Sequence, residues 1–411
     1  MAAGKVRFDP DDPQLKEDPY PLFKALREQD PVHFCDLGFW VATRYDDLRA
    51  VVMDRENFGQ GDFIQNIQLF YGPDFDVLSH AAYRWLSEIF LYQDPPRHTR
   101  VRGLVTQALT ARRVAQMRPR VQAIADRLLD AVAADGEMEV IHQFAYKFPT
   151  LVMCDMLGLS PEEASAEVLG QLNQAIADAF VVFEMRAFPP DVLALADSQI
   201  EFLESFFGKI FAARRKSPQD DLATGLVNAR DENGPLSDHE MATVAIGLFG
   251  AGFETTAHMI GNGLLSLHKF PDQWCKLVAN PALAPSATEE ILRYESSLVG
   301  SNRTAFRDVE LGGKTIKAGE RILTLLAAGN RDPGVFDDPD RFDIERKGPK
   351  HLSFGGGIHF CVGAELARLE GEIALTSLAT RFPQLDVDLS SARWRQEGFM
   401  FRGLTALQAR W

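Results

Sequence analysis

The stretch Phe354-Gly355-Gly356-Gly357-Ile358-His359-Phe360-Cys361-Val362-Gly363 decides how the rest of the chain is read. Three consecutive glycines let a backbone turn sharply and approach a flat partner closely. Cys361 stands at the mouth of the helix that the following residues predict, where the positive end of the helix dipole favours thiolate. Other chemistries fit less well. A phosphate loop needs GxxxxGK[ST], and no lysine follows. A dinucleotide GxGxxG needs glycine at 360, where Phe360 stands. His359, two residues away, cannot easily turn back onto Cys361 as a catalytic base. Zinc needs about four ligands, and no second cluster offers them. A plain buried cysteine stays open on these residues alone.

Outward from this segment, the chain of 411 residues is 46% hydrophobic and 25% charged, an ordinary globular balance. Its 43 Lys+Arg against 58 Asp+Glu leave a net charge of -15, which disfavours a nucleic-acid footprint and adhesion to anionic membranes. The other cysteines, Cys35, Cys154 and Cys275, form no CxxC, so neither a zinc ribbon nor a dithiol redox motif is expected. So few cysteines fit a reducing compartment. Residues 1–10 lack the apolar stretch of a signal peptide, and the longest nearly apolar run, 241–253, is shorter than the roughly 20 residues of a membrane span. The expectation is a cytoplasmic protein.

Periodicity predicts helix at 20–29 and 45–53, short strands at 32–34 and 39–43, and an irregular, apolar-rich loop at 59–92. From His98 to about Phe270 the period is helical, with breaks at Gly136, Gly158–Pro161, Pro189–Pro190, Pro218 and Gly234–Pro235. Residues 299–324 switch to strand chemistry, including a hairpin turning on Gly312-Gly313. Ser286 and Glu289 have the spacing of a capping box, and 362–382 reads as an amphipathic helix. The fold class expected is mainly α with a minor β region, as one domain over 1–411.

The Phe354–Gly363 segment matches F-G-x-G-x-[HR]-x-C-x-G at every fixed position, and in this it resembles the haem-binding loop of the cytochromes P450, the haem-thiolate monooxygenases, soluble bacterial type. In that family haem is held by a cysteine thiolate. The resemblance implies haem b, with Cys361 as the iron ligand and Phe354, Gly355 and Gly363 in the cofactor loop. It also implies the P450 fold: long helices with small antiparallel sheets. Four other segments follow in the family's order. His98 and Arg102, at i, i+4 after Asp94-Pro95-Pro96, would hold a haem propionate, as would Arg303 and His359; buried carboxylates need such cations. Ala251-Gly252-Phe253-Glu254-Thr255-Thr256 would form the oxygen pocket in a helix over about 237–270, locally opened over the iron, with Ala251 against the cofactor and Glu254 and Thr255 delivering protons. Glu290-Ile291-Leu292-Arg293 would be the buried ExxR ion pair, completed by Arg341, with Arg346 as a nearby alternative.

The activity implied is insertion of one oxygen atom of O2 into a mostly apolar small molecule, with two electrons from a separate ferredoxin and ferredoxin reductase; the chain itself shows no second cysteine set or dinucleotide loop. By position in the family, Phe63, Ile67, Val182, Phe183, Val244, Leu248, Leu298, Val299 and Met400 are pocket candidates. Arg100, Arg112, Arg113 and Lys350 are candidates for the face that meets the redox partner. A monomer without nucleic acid or membrane partner is expected. A peroxide-using or isomerase-like haem-thiolate enzyme is the rival reading. A haem-thiolate sensor is a second rival, and it would need an output module.

Overall fold

Gly312 and Gly313 both adopt positive φ, +56° and +76°. That pair of left-handed residues matches the twist of a tight hairpin, and the flanking strands close on it with Val309 opposite Ile316 and Leu311 opposite Lys314. This predicted turn belongs to a computed structural model that describes residues 6–160, 163–184 and 186–411. Pro161 of the expected break and the first five residues of the N-terminal reading lie outside the described residues.

The chain forms two contact units, each assembled from separated segments. The first comprises Met1–Gly61, Ala125–Lys147 and Thr255–Trp411. Its largest sheet has five strands in the order Val32–Phe34, Trp40–Ala42, Arg321–Thr324, Ser301–Ala305, Phe58–Gly59. All pairings are antiparallel except that of Ile322 with Trp40. Val32, Ala42, Ile316 and Ile322 bury one face of this region against Leu48, Val52 and Phe336. A second sheet pairs Asp386–Trp394 with Leu404–Arg410, and the latter with Glu137–Glu139. The helix Ala364–Arg381 buries residues around most of its circumference, including Leu366, Leu369, Ile373, Leu375 and Leu378. The amphipathic reading of 362–382 is therefore corrected: this is an interior helix, and its alternating small residues made it read as one-sided.

The second unit comprises Asp62–Ile124 and Phe148–Glu254 and is helical. Its long members include Arg97–Ala108, Ala166–Ala179 and Pro190–Lys216, and the helix Asp238–Lys269 begins in it. The helices stop where the proline and glycine breaks were expected. Residues 59–92 are not a loop. Helices Phe63–Tyr71 and Ala81–Glu88 stand there, the first capped by Asp62 Oδ1 accepting from the Gln65 amide at 3.1 Å. Short helices carrying many aromatics hid the period. Tyr71 instead stacks on Phe75 with centroids 4.0 Å apart and exchanges a hydroxyl bond with Tyr83 at 3.0 Å.

The capping box at Ser286 and Glu289 is absent. Helix Ala284–Tyr294 begins earlier, Ser286 Oγ donates to the Leu283 carbonyl, and Glu289 is engaged elsewhere. No helix among the described residues is long and apolar enough to cross a membrane.

Candidate functional site

The glycine loop is built against the helix Tyr45–Met53. Gly357 has φ +60°, and a Cβ there would lie 2.4 Å from the Val52 carbonyl oxygen, so only glycine fits. Its amide points at Met53 Sδ, 3.1 Å away. The loop then closes on itself: the Gly355 amide donates to Leu352 O at 2.7 Å, and the Cys361 amide donates to Phe354 O at 2.9 Å. The helix Ala364–Arg381 begins three residues later with Gly363 at its N-cap. Cys361 is thus an exposed thiol beside a helix N-terminus. The other cysteines do not compete. Cys35 and Cys154 are buried, and burial pushes their thiols up, Cys154 to about 12. Cys275 is exposed but belongs to the regular helix Pro271–Ala279.

Cationic side chains accompany the thiol in the same unit. Arg303 is 6% exposed on the strand Ser301–Ala305, and its Nη1 donates to Asn302 O at 2.6 Å. His359 is half-buried in the turn Gly357–His359. An exposed thiol, a loop stripped of side chains at three successive positions, and a buried arginine fit one face of an iron porphyrin with its carboxylate tails. In the second unit His98 is buried and Arg102 half-buried, one turn apart on the helix Arg97–Ala108, as the i, i+4 spacing requires.

The helix Asp238–Lys269 carries Ala251, Glu254 and Thr255. Glu254 is buried and Thr255 half-buried, while Ala251 is exposed between the buried Phe249 and Phe253. Gly250 and Gly252 are packing positions: a Cβ would meet Phe180 Cζ at 2.2 Å and Met153 Sδ at 2.6 Å respectively. The helix is assigned without a break from 238 to 269, so the local opening expected over the iron is not seen in it. The π-helical turn among the described residues is at Ile141–Ala145.

Glu290 and Arg293 form the buried pair, with Arg293 Nε 2.7 Å and Nη2 2.8 Å from the two carboxylate oxygens. The completing arginine is Arg346, not Arg341. Arg346 Nε reaches Glu290 Oε1 at 3.1 Å, whereas Arg341 is exposed and contributes its carbonyl, which accepts from Arg293 at 3.2 Å and Arg346 at 2.7 Å. The turn at Asp338–Arg341 presents backbone inward, which sends the Arg341 side chain out.

Two networks escaped the sequence reading. Arg331 lies between the rings of Tyr20 and Tyr294, 3.6 Å from each centroid. Beside it the Tyr20 hydroxyl donates to Glu295 at 2.9 Å, and Arg402 Nε donates to Glu295 at 2.6 Å. The second network joins Glu289, His351 and Arg368. Partners this far apart in the chain leave no local pattern.

Of the pocket candidates, Val182, Val244, Leu248, Val299 and Met400 are buried, and Phe63, Ile67, Phe183 and Leu298 are half-buried. Phe63 and Phe183 both pack on Tyr92, with centroids 5.8 Å away in each case. Two of the partner-face candidates are ion-paired. Arg100 is held by Glu240 at 2.8 Å and Asp231 at 3.4 Å. Arg113 donates to Asp221 O at 2.7 Å and to Asp220 at 3.1 Å. Both tie helices within their unit; Arg112 and Lys350 are exposed.

A fold of this kind, with a thiol loop and an ExxR pair behind it, defines a haem-thiolate protein. The family model described as Cytochrome P450 matches residues 48–401. The chain is 37% identical over 405 residues to "Cytochrome P450 monooxygenase PikC" of Streptomyces venezuelae, covering 96% of this chain and 91% of that protein. It is 34% identical to "6-deoxyerythronolide B hydroxylase" of Saccharopolyspora erythraea, over 95% of each. Among solved structures, P450BioI in complex with hexadec-9Z-enoic acid ligated acyl carrier protein aligns with a TM-score of 0.87 and 31% identity, covering 97% of this chain and 99% of that one. The chain belongs to the cytochrome P450 family. It is an oxidoreductase of the monooxygenase type, its cofactor is haem, and it works with O2, a substrate and a redox partner.

Proposed function

We propose that this chain, acting as a single catalytic domain over 1–411, hydroxylates a mostly apolar small molecule with electrons from a ferredoxin and its reductase. The observation that carries the reading is the glycine cradle that leaves Cys361 exposed beside a helix N-terminus. Cys361 is the thiolate ligand of haem b, and Arg303, His359, His98 and Arg102 hold its carboxylates. The haem, when bound, supplies O2 binding and two-electron activation. Glu254 and Thr255 move protons toward the oxygen site from adjacent positions on one helix, an acid feeding a hydroxyl. Phe63, Ile67, Phe183 and Leu248 orient the substrate by apolar contact. The name of one relative, 6-deoxyerythronolide B hydroxylase, supports a macrolactone-like substrate. Arg112 and Lys350 remain candidates for partner docking, where local charge outweighs the net -15 within about 8 Å of screening. The protein works as a cytoplasmic monomer on this reading.

The test replaces the ligand. Cys361→Ser should abolish the long-wavelength Soret band of the reduced CO complex, and with surrogate ferredoxin and reductase it should lose NADPH-driven product formation. A Cys361→Ser protein that keeps the band refutes the reading. A parent that turns over with peroxide but never with the reductase chain establishes the peroxide-using rival.

A further inference from the structure

Resting on the haem-thiolate reading, the geometry points to a further set of positioning residues: we propose that Arg368, Glu289 and His351 form a relay that grips the thiolate loop at Ser353 and Phe354 and so fixes the peptide that presents Cys361. The guanidinium of Arg368 lies 4.8 Å from the centroid of Phe354. Its Nε donates to Glu289 at 2.7 Å and its Nη1 to Glu365 at 2.9 Å, so its plane is held from two sides. Glu289 Oε2 lies 3.3 Å from His351 Nε2. His351 Nδ1 in turn accepts the Ser353 amide at 3.1 Å. With Nδ1 so engaged, Nε2 is the nitrogen left on the Glu289 side, within ion-pair range but outside hydrogen-bond geometry.

The chain of contacts therefore leaves the loop at Ser353, runs through His351, Glu289 and Arg368, and returns to the loop at the next residue, Phe354. Phe354 is the residue whose carbonyl accepts the Cys361 amide. Its ring also packs edge-on against Phe360, with centroids 6.1 Å apart. A shift of Phe354 is thereby a shift of the Cys361 amide and of the Phe360 ring. Burial pushes the Glu289 carboxyl up, and the nearby His351 ring together with the Arg368 guanidinium outweighs it and holds it at about 2. The carboxylate is thus ionised throughout the working range, and the relay is permanently charged. None of the three residues touches the reacting atoms. Their effect passes through Phe354, and the planar, weakly hydrated guanidinium suits stacking on a ring as an ammonium does not.

The test uses the haem-loaded full chain carrying Glu289→Gln, Arg368→Met or Arg368→Lys. The readouts are the reduction potential and the rate at which the reduced CO complex loses its long-wavelength Soret band in mild denaturant, followed beside far-UV circular dichroism. Glu289→Gln and Arg368→Met should lose the band about fivefold faster than the parent, the factor carried by about 1 kcal/mol of a partly exposed ion pair. Their helical signal should decay at the parental rate. Arg368→Lys should keep the charge but not the stack, and recover only part of the difference. Bands lost at the parental rate with unchanged potentials overturn the relay. Bands lost only in step with the helical signal assign these residues a general structural role and also overturn it. A parent that shows no long-wavelength band overturns the haem-thiolate reading itself, a distinct failure.

Discussion

Arg346 and Arg341 make opposite predictions from similar positions. Glu290 receives four donors: Arg293 Nε and Nη2, the Asp343 amide, and Arg346 Nε. Arg346 also donates to the carbonyls of Asp337, Asp338 and Arg341. Arg346→Met leaves Glu290 three of those donors, so the carboxylate is not stranded. The cost is that of a charge-assisted bond, about 2 kcal/mol. Glu290→Gln is more severe, because it leaves Arg293 buried at 3% side-chain exposure without its counter-charge; breaking such a pair costs about 3–5 kcal/mol. Arg341→Met removes an exposed side chain whose carbonyl does the work, and stays within about 0.5 kcal/mol of the parent. With an unfolding entropy near 2.1 cal/mol/K per residue over 411 residues, these costs correspond to melting shifts of about 2 °C, about 5 °C and under 1 °C in that order. Denaturant midpoints at unchanged slope, together with haem retention, give the same ranking by a second route. An Arg341→Met midpoint lowered as far as that of Arg346→Met would refute the assignment.

Thr255→Ala should bind haem and substrate yet release more peroxide per NADPH consumed; unchanged coupling in Thr255→Ala combined with Glu254→Gln would place proton entry elsewhere. Glu370 is fully buried, both its oxygens lack a hydrogen-bond partner among the described residues, and burial raises its carboxyl well above the ordinary value. A raised acid contributes stability that is complete below its unfolded value of about 4.5 and erodes as pH rises toward the folded value, by about 1.4 kcal/mol per pH unit. Glu370→Gln has no proton to lose, so its stability relative to the parent should rise as pH climbs above about 4.5; a gap that stays constant would contradict the buried neutral acid.

Much of this molecule was legible because its determinants are local. The thiol loop is ten contiguous residues, the Gly312-Gly313 turn needs two positive φ angles side by side, and His98 with Arg102 needs one helical turn. What was missed depends on partners far apart in sequence or on backbone. Arg341 and Arg346 are equally arginine in the sequence, and only the path of the 338–341 turn decides which side chain reaches Glu290. Arg100 and Arg113 looked like surface charge until Glu240, Asp231 and Asp220 came alongside. Residues 59–92 read as a loop because their helices are short, the first burying no side chain fully and the second burying Tyr83 and Trp85.

The clasp around Glu295 also determines where the chain tolerates being shortened or tagged. Arg402 donates to the carbonyls of Lys16 and Glu17 at 2.8 and 3.1 Å, and Tyr20 places its hydroxyl on Glu295. A chain begun at Phe23 would strip a buried arginine of two acceptors and open the sandwich around Arg331, far from any residue of the thiol loop in sequence. A chain begun after Phe8 would also lose a ring buried against Phe39 and Phe399, so an affinity tag or fusion partner at this end belongs ahead of Phe8.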